Sequence, residues 1–418
     1  MTPLITHRQG LRYGFMGLPL AFVALPLYVV LPHHYASQYG VPLATLGLIL
    51  LLARFFDAAI DPLLGRWSDR QFARSTAGVL RWGVILSAFL GLGFALLFFP
   101  PVRELPLLGW WLAGSLLLTY VAFSAISIMH QSWGARLGGD EAQRSRIVAW
   151  REGLGLFGVL LASALPVAVG LPATTAVFFL ALSLACGCWF YAPQPQPSGA
   201  AHHHLTTSIW LPFQRPAFRA LLAVFIVNGI ASAIPATLLL FFVQDRLQAA
   251  PSMEPVFLGS YFVCAALSIP AWLLAVRRWG LARSWLGGMT LSVSVFLFAA
   301  GLGAGDSAGF IAVCALSGIG LGADLALPSA LLAGVIQTNG DQGSAEGAYF
   351  GWWNFSTKLN LALAAGLALP ILGALGYAPG SRDPAALQVL TWSYCLLPCV
   401  LKLGAATLLY TLIIRKTP

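Results

Sequence analysis

Charge is scarce in this chain. Asp, Glu, Lys and Arg make up 9% of its 418 residues, and 58% are hydrophobic. A soluble domain carries roughly 25% charged residues because its surface faces water. A globule of this size cannot be covered by so few charges, so lipid must solvate most of it. Signature motifs are missing as well. No P-loop, G-x-S-x-G, H-E-x-x-H or paired C-x-x-C is present, which removes sequence support for ATP-driven pumping and for hydrolysis of the soluble type. No enzyme activity and no cofactor are expected.

The six cysteines, at 186, 188, 264, 314, 395 and 399, all fall inside apolar runs. They read as small packing residues rather than a disulfide framework or a zinc site. Cys186 and Cys188 are two apart on a helix and point to different sides. His202, His203 and His204 form a short tract in a polar loop, read as solvated. No metal site is expected.

What the chain does have is apolar runs of spanning length, about 20 residues each. They lie near 12–32, 41–65, 76–100, 106–135, 146–170 and 172–192, then near 217–243, 252–276, 283–304, 308–337, 346–377 and 386–413. The first follows Arg8 and Arg12, as a signal peptide would. It is too long for an h-region and lacks an A-x-A site, so it is expected to be the first membrane anchor. One long polar stretch, 193–216, with Pro-Gln-Pro-Gln-Pro, separates the two sets. The expectation is an all-α membrane protein of twelve transmembrane helices in two pseudo-symmetric six-helix bundles. Residues 1–192 and 217–418 are the bundles, and 193–216 is a central cytoplasmic loop.

Charge placement sets the sidedness. With both termini inside, sixteen of the 23 lysines and arginines lie in cytoplasmic segments, and only Arg103, Arg246 and Arg382 lie opposite. That asymmetry follows the positive-inside rule. It explains the net charge of +9 without nucleic acid as a partner. An integral protein of a bacterial inner membrane, with cytoplasmic termini, is expected.

The halves echo each other. Gly17–Pro26 opens the first with Gly-Leu-Pro and ends on proline; Asn228–Pro235 opens the second. Pro62 with Asp69 and Arg70 is answered by Pro270 with Arg277 and Arg278, at nearly constant spacing. Two six-helix repeats joined by a central cytoplasmic loop carry their solute site between them at mid-membrane.

A charge at the bilayer centre costs roughly 2.5–3.5 kcal/mol on insertion scales, so each needs a reason. Asp57, Asp61, Glu152 and Asp324 are the acids inside spans; Arg54, Arg151, Lys358 and Lys402 are the bases. Arg54, Asp57 and Asp61 are three and four residues apart on the second helix and share a face. Two carboxylates in low dielectric repel, so the pair either takes up a cation or is held by a base. Arg54 pairing with Asp57 as scaffold is the plain alternative. A D-x-x-x-D magnesium–pyrophosphate site would need a second acidic motif, which is missing.

Several segments together resemble the glycoside–pentoside–hexuronide cation symporters, the melibiose permease family of the major facilitator superfamily. They are Tyr13-Gly-Phe, Ala53-Arg54 with Asp57 and Asp61-Pro62, Thr119-Tyr120, Arg144-Ser-Arg146-Ile-Val-Ala-Trp150-Arg151, and Glu346-Gly347 through Gly351-Trp352 to Lys358-Leu359. The resemblance covers most of the first half and helix eleven. It implies a cation-coupled secondary transporter working by alternating access, with H⁺ or Na⁺ as coupling ion. Asp57, Asp61 and Lys358 would form the cation site. Substrate would meet Tyr120, Ser124, Arg151, Trp353, Asn354 and Lys358. Gly65-Arg-Trp-Ser-Asp69-Arg70 matches the G-x-x-x-D-R loop motif between helices two and three, which implies gating by Gly65, Asp69 and Arg70, with Arg54 above them. Asp324 and Glu152 are candidates for a second proton site; Asp324 has Lys358 or Lys402 as partner. His130 reads as a packed histidine.

The departures from that family bear on the substrate. Its sugar-binding acids on helices one and four fall at Ala21 and Ser124, its cation-ligating hydroxyl at Val121, and its stacking tryptophan at Ile128. Carboxylates accept several sugar hydroxyls, so their loss argues against a melibiose-like sugar. Losing the hydroxyl weakens Na⁺, which needs several oxygens, more than H⁺. A sugar or glycoside therefore stands beside a lysophospholipid or other amphiphile as expected substrate. A membrane enzyme or receptor on the same fold is the alternative from another class. Membrane lipid is the expected surround and a monomer the default for the fold.

Overall fold

A computed structural model describes residues 5–195 and 208–416; the histidine tract at 202–204 lies outside the described residues. Among these the secondary structure is helical throughout, without strands. Eleven helices are long and apolar enough to cross a membrane. One of them, Glu141–Phe190, joins two spans across a kink at Gly170, whose φ of 78° lies in a region that favours glycine. The expected twelve spans are therefore present.

We number them α1 (His7–Tyr28), α2 (Leu43–Arg74), α3 (Thr76–Phe98), α4 (Leu105–Arg136), α5 (141–169), α6 (171–190), α7 (Pro216–Arg246), α8 (Pro251–Trp279), α9 (Leu281–Ala299), α10 (Ser307–Thr338), α11 (Glu346–Ala374) and α12 (Pro384–Lys416). Their boundaries follow local chemistry. The Asp140 carboxylate caps α5 by accepting from the Gln143 N–H at 2.8 Å, and Gly40, at φ 67°, closes the helical extension after α1.

One expectation is corrected. The stretch 65–74 is not a loop but the continuation of α2 to Arg74. No glycine or proline stands between Gly65 and Ser75, and the whole connection to α3 is Ser75. That residue is extended and caps α3 with its hydroxyl, accepting from Gly78 N–H at 2.9 Å.

The chain forms two compact units. One comprises residues 1–214 and 336–355, the other 215–335 and 356–418. The stretch 336–355, which sequence spacing assigns to the second bundle, packs with the first unit. In lipid, helices associate through close packing rather than hydrophobic exclusion, and glycines make that possible in the first unit. A Cβ at Gly14 or Gly17 would overlap the carbonyls of Trp150 and Arg151, and one at Gly158 the carbonyl of Leu18. These contacts clamp α1 onto α5. In the second unit Gly318 meets Tyr261 backbone in the same way, joining α8 to α10.

Candidate functional site

Both α2 carboxylates are buried, Asp57 at 2% and Asp61 at 0% exposure. Asp57 accepts a hydrogen bond from the Ser124 hydroxyl of α4 at 2.7 Å, so Ser124 holds the acid. Arg54 does not pair with either acid. Its guanidinium lies over the Tyr28 ring, 4.3 Å from the centroid, a cation–π contact. Tyr28 stands close to Arg54, Asp57, Asp61 and Tyr120 together. Tyr28 was not legible as a site residue, since nothing in its apolar surroundings marks it.

The stripe of α2 continues at four-residue steps through Asp57, Asp61, Gly65 and Asp69. Gly351 allows the first turns of α11 to pass against Asp61 and Pro62, and Gly65 and Gly347 meet backbone to backbone. At the end of the stripe, Asp69 accepts the backbone N–H groups of Gly347 and Ala348 at 2.7 and 2.9 Å. An anion there satisfies the open donors of a helix N-terminus. Arg136, at the end of α4, bridges Asp69 at 3.3 Å and Glu346 at 2.7 Å. It also donates to the Gly343 carbonyl and lies against the Phe72 ring. The arginine that serves Asp69 is thus Arg136, while Arg70 is exposed. Sequence spacing could not supply Arg136 and Glu346, because they sit 67 and 277 positions from Asp69.

Arg151 and Glu152 hold each other. Although adjacent on α5, their long side chains meet, with Nη2 to Oε1 at 2.6 Å and Nε to the same oxygen at 2.8 Å. Arg151 is buried beside Tyr13 and His130. His130 itself is fully buried, stacked on Tyr13 at 4.4 Å and bonded through Nε2 to the Tyr13 carbonyl at 2.7 Å, as a packed histidine would be. Tyr120 is buried at 2% and Trp353 at 4%. Trp352 donates its indole N–H to the Ile209 carbonyl at 2.8 Å and packs on Trp210 and Phe213. It thereby anchors the central loop. Asn354 is half-buried in the first unit. Lys358, one turn further along α11, is half-buried in the second.

Asp324 lies entirely within the second unit. Lys402 of α12 pairs with it at 2.8 Å, which decides between the two lysines considered. Trp285 of α9 donates at 2.8 Å, Asn228 of α7 at 3.1 Å and Ser232 of α7 at 3.4 Å. Among the described residues no group of three or more His, Cys, Asp or Glu is arranged to hold a metal ion.

The sequence model of the MFS/sugar transport protein family matches residues 12–416. A Salmonella typhimurium protein named a putative sulfoquinovose importer is 24% identical, over 97% of this chain and 89% of its own length. A Bacillus subtilis protein named the uncharacterized symporter YjmB is 23% identical, over 91% of this chain and 86% of its own. Among solved structures, a bacterial homologue of the iron transporter ferroportin superposes with a TM-score of 0.73 at 17% identity, covering 97% of this chain and 99% of that one. The major facilitator transporter FucP gives 0.65 at 14% identity, covering 96% and 99%. The chain belongs to the MFS/sugar transport protein family: it is an integral membrane secondary transporter of the major facilitator fold, and not an enzyme.

Proposed function

We propose that this sugar-transport family member is a cation-coupled symporter in which Asp57 and Asp61 load the coupling ion. The observation that carries the reading is the placement of Arg54. Two buried carboxylates one turn apart repel in low dielectric, and the arginine on their own helix is turned to Tyr28. The plain scaffold role, Arg54 paired with Asp57, therefore loses its support. A proton is the favoured ion, since it needs one carboxylate oxygen, whereas Val121 stands where a Na⁺-ligating hydroxyl would. Family resemblance adds Lys358 as the positive charge released on loading.

The stripe on α2 supports a mechanical link to the gate. Loading at Asp61 occurs where Gly351 presses on its backbone, two turns from Asp69 and the Arg136–Glu346 bridge. A change in charge there alters the stripe on which α11 rests. Asp69 and Arg136 then act as a latch opened during alternating access, as the halves rock.

The solute we propose is a small sugar or glycoside imported across a bacterial inner membrane, with both termini in the cytoplasm. The family and the importer-named Salmonella relative support this. The missing acids at Ala21 and Ser124 make a sugar held by fewer carboxylates the better fit.

Uptake into proteoliposomes tests the coupling. Accumulation should collapse with a proton ionophore and vanish in Asp57→Asn and Asp61→Asn, while both variants still exchange solute without a gradient. Full gradient-driven accumulation in both would sink the proposal. Thermal-shift panels of sugars, sulfonated sugars and lysolipids identify the solute class.

A further inference from the structure

The second unit contains a cavity that none of the transport residues above explains. It opens between α7, α8, α9, α10 and α12 and is lined mainly by Leu239, Phe257, Tyr261, Phe262, Phe296 and Tyr394. To the centres of water-sized molecules it offers about 170 Å³. An apolar cavity of ~150 Å³ is enough to hold benzene.

A charged cluster on its wall is built rather than incidental. Asp324, Ser232 and Lys402 line it, and Lys402 is only 6% exposed. An ion pair deep in a membrane bundle carries a desolvation cost that well-packed apolar side chains would avoid. Asp324 is saturated: each oxygen accepts two donors. Lys402 is not. An ammonium has three N–H donors; Lys402 gives one to Asp324 at 2.8 Å and one to Ser232 at 2.9 Å. Among the described residues the third has no partner.

We propose that the second unit holds a binding site of its own, taking an uncharged aryl or short alkyl group that presents a hydrogen-bond-accepting oxygen to Lys402. The walls select the chemistry. Aromatic rings from α8, α9 and α12 receive an apolar body. The pair is neutral overall, so an anion meets the saturated Asp324 and a cation meets Lys402, and each is disfavoured. The remaining donor orients a hydroxyl, ether or carbonyl oxygen. The apolar portion of a glycoside, or a free aryl alcohol, has this shape. The site does not depend on Asp57 or Asp61, so it stands or falls separately from cation coupling.

The test uses the full chain in nanodiscs and the photoreactive aryl alcohol trifluoromethyl-diazirinyl-benzyl alcohol, with labelled residues mapped by mass spectrometry. Labelling of Phe257, Tyr261 and Phe296 should saturate and be competed by excess benzyl alcohol. It should be lost in Ala236→Trp, where an exposed alanine on the cavity wall becomes an indole that fills it. Lys402→Met would strand the Asp324 charge, so the pair is replaced together. Asp324→Asn with Lys402→Met should lower apparent affinity about tenfold, the loss of one hydrogen bond. Labelling that never saturates and spreads to the lipid-facing Leu267 and Leu274 would show only a lipid-filled groove and overturn the site. So would labelling unchanged in both variants.

Discussion

Each unit places acids inside its spanning helices, and the two sets are treated differently. In the second unit Asp324 draws an ammonium and three neutral donors from three other helices. In the first, Asp57 receives a serine hydroxyl, and the arginine on its own helix is spent on a tyrosine ring. The four donors that converge on Asp324 tie α7, α9 and α12 to α10. Two carboxylates on one helix face repel in low dielectric, and that is the pair proposed above to load the coupling ion. The comparison thus sets an acid that joins helices against a pair proposed to load an ion. The Asp324 network shows that a buried acid among small residues can join helices.

The largest break of this comparison should come from stranding the architectural acid. Lys402→Met leaves Asp324 uncompensated and should cost about 3–5 kcal/mol, read as a large fall in the thermal midpoint of purified protein. Adding Asp324→Asn should recover most of it. No recovery would mean that the pair is more than a mutual neutralisation.

Next in size is the latch. Arg136→Ala leaves Asp69 and Glu346, both buried, without their shared guanidinium. We expect a loss of about 3 kcal/mol, together with faster labelling of a cysteine placed near Gly347. Arg70→Ala, at an exposed position, should change neither reading. Equal effects of the two substitutions would assign the latch to the wrong arginine.

Asp57→Asn should sharpen the contrast from the other side. Ser124 can still donate to the amide oxygen, so the thermal midpoint should barely move while gradient-driven accumulation disappears. The reverse pattern, normal accumulation in an unstable protein, would place Asp57 with Asp324 among the architectural acids. The smallest effect belongs to Ser124→Ala. Removing one hydrogen bond to a charged group is worth about 1.5–3 kcal/mol at most; the lost donor stabilised the carboxylate, so with a proton as coupling ion half-maximal uptake should need a lower proton concentration, while transport survives. Titration of uptake against pH or Na⁺ measures it.

Much of this architecture is legible along the chain, for a physical reason. Spanning length, apolar content and the bias of arginines to one side are one-dimensional properties, because the bilayer imposes them on each helix separately. The twelve spans and their break at Gly170 follow from them. So does the common face of Asp57 and Asp61, which depends only on helical periodicity. The extension of α2 through Arg74 was masked by reading a motif as a loop, though no glycine or proline stands between Gly65 and Ser75.

Partner choice was a matter for the tertiary structure. Arg54 facing Tyr28, Arg136 spanning Asp69 and Glu346, and Lys402 reaching Asp324 join residues on different helices. Each is decided by which faces meet once glycines such as Gly65 and Gly347 let backbones approach. The sequence by itself determined that this chain crosses the membrane twelve times and buries acids on α2. Which acids are neutralised, and by whom, depended on packing. A buried charge takes its partner from whatever the neighbouring helix brings within about 3 Å, and that distance exists only in the folded protein.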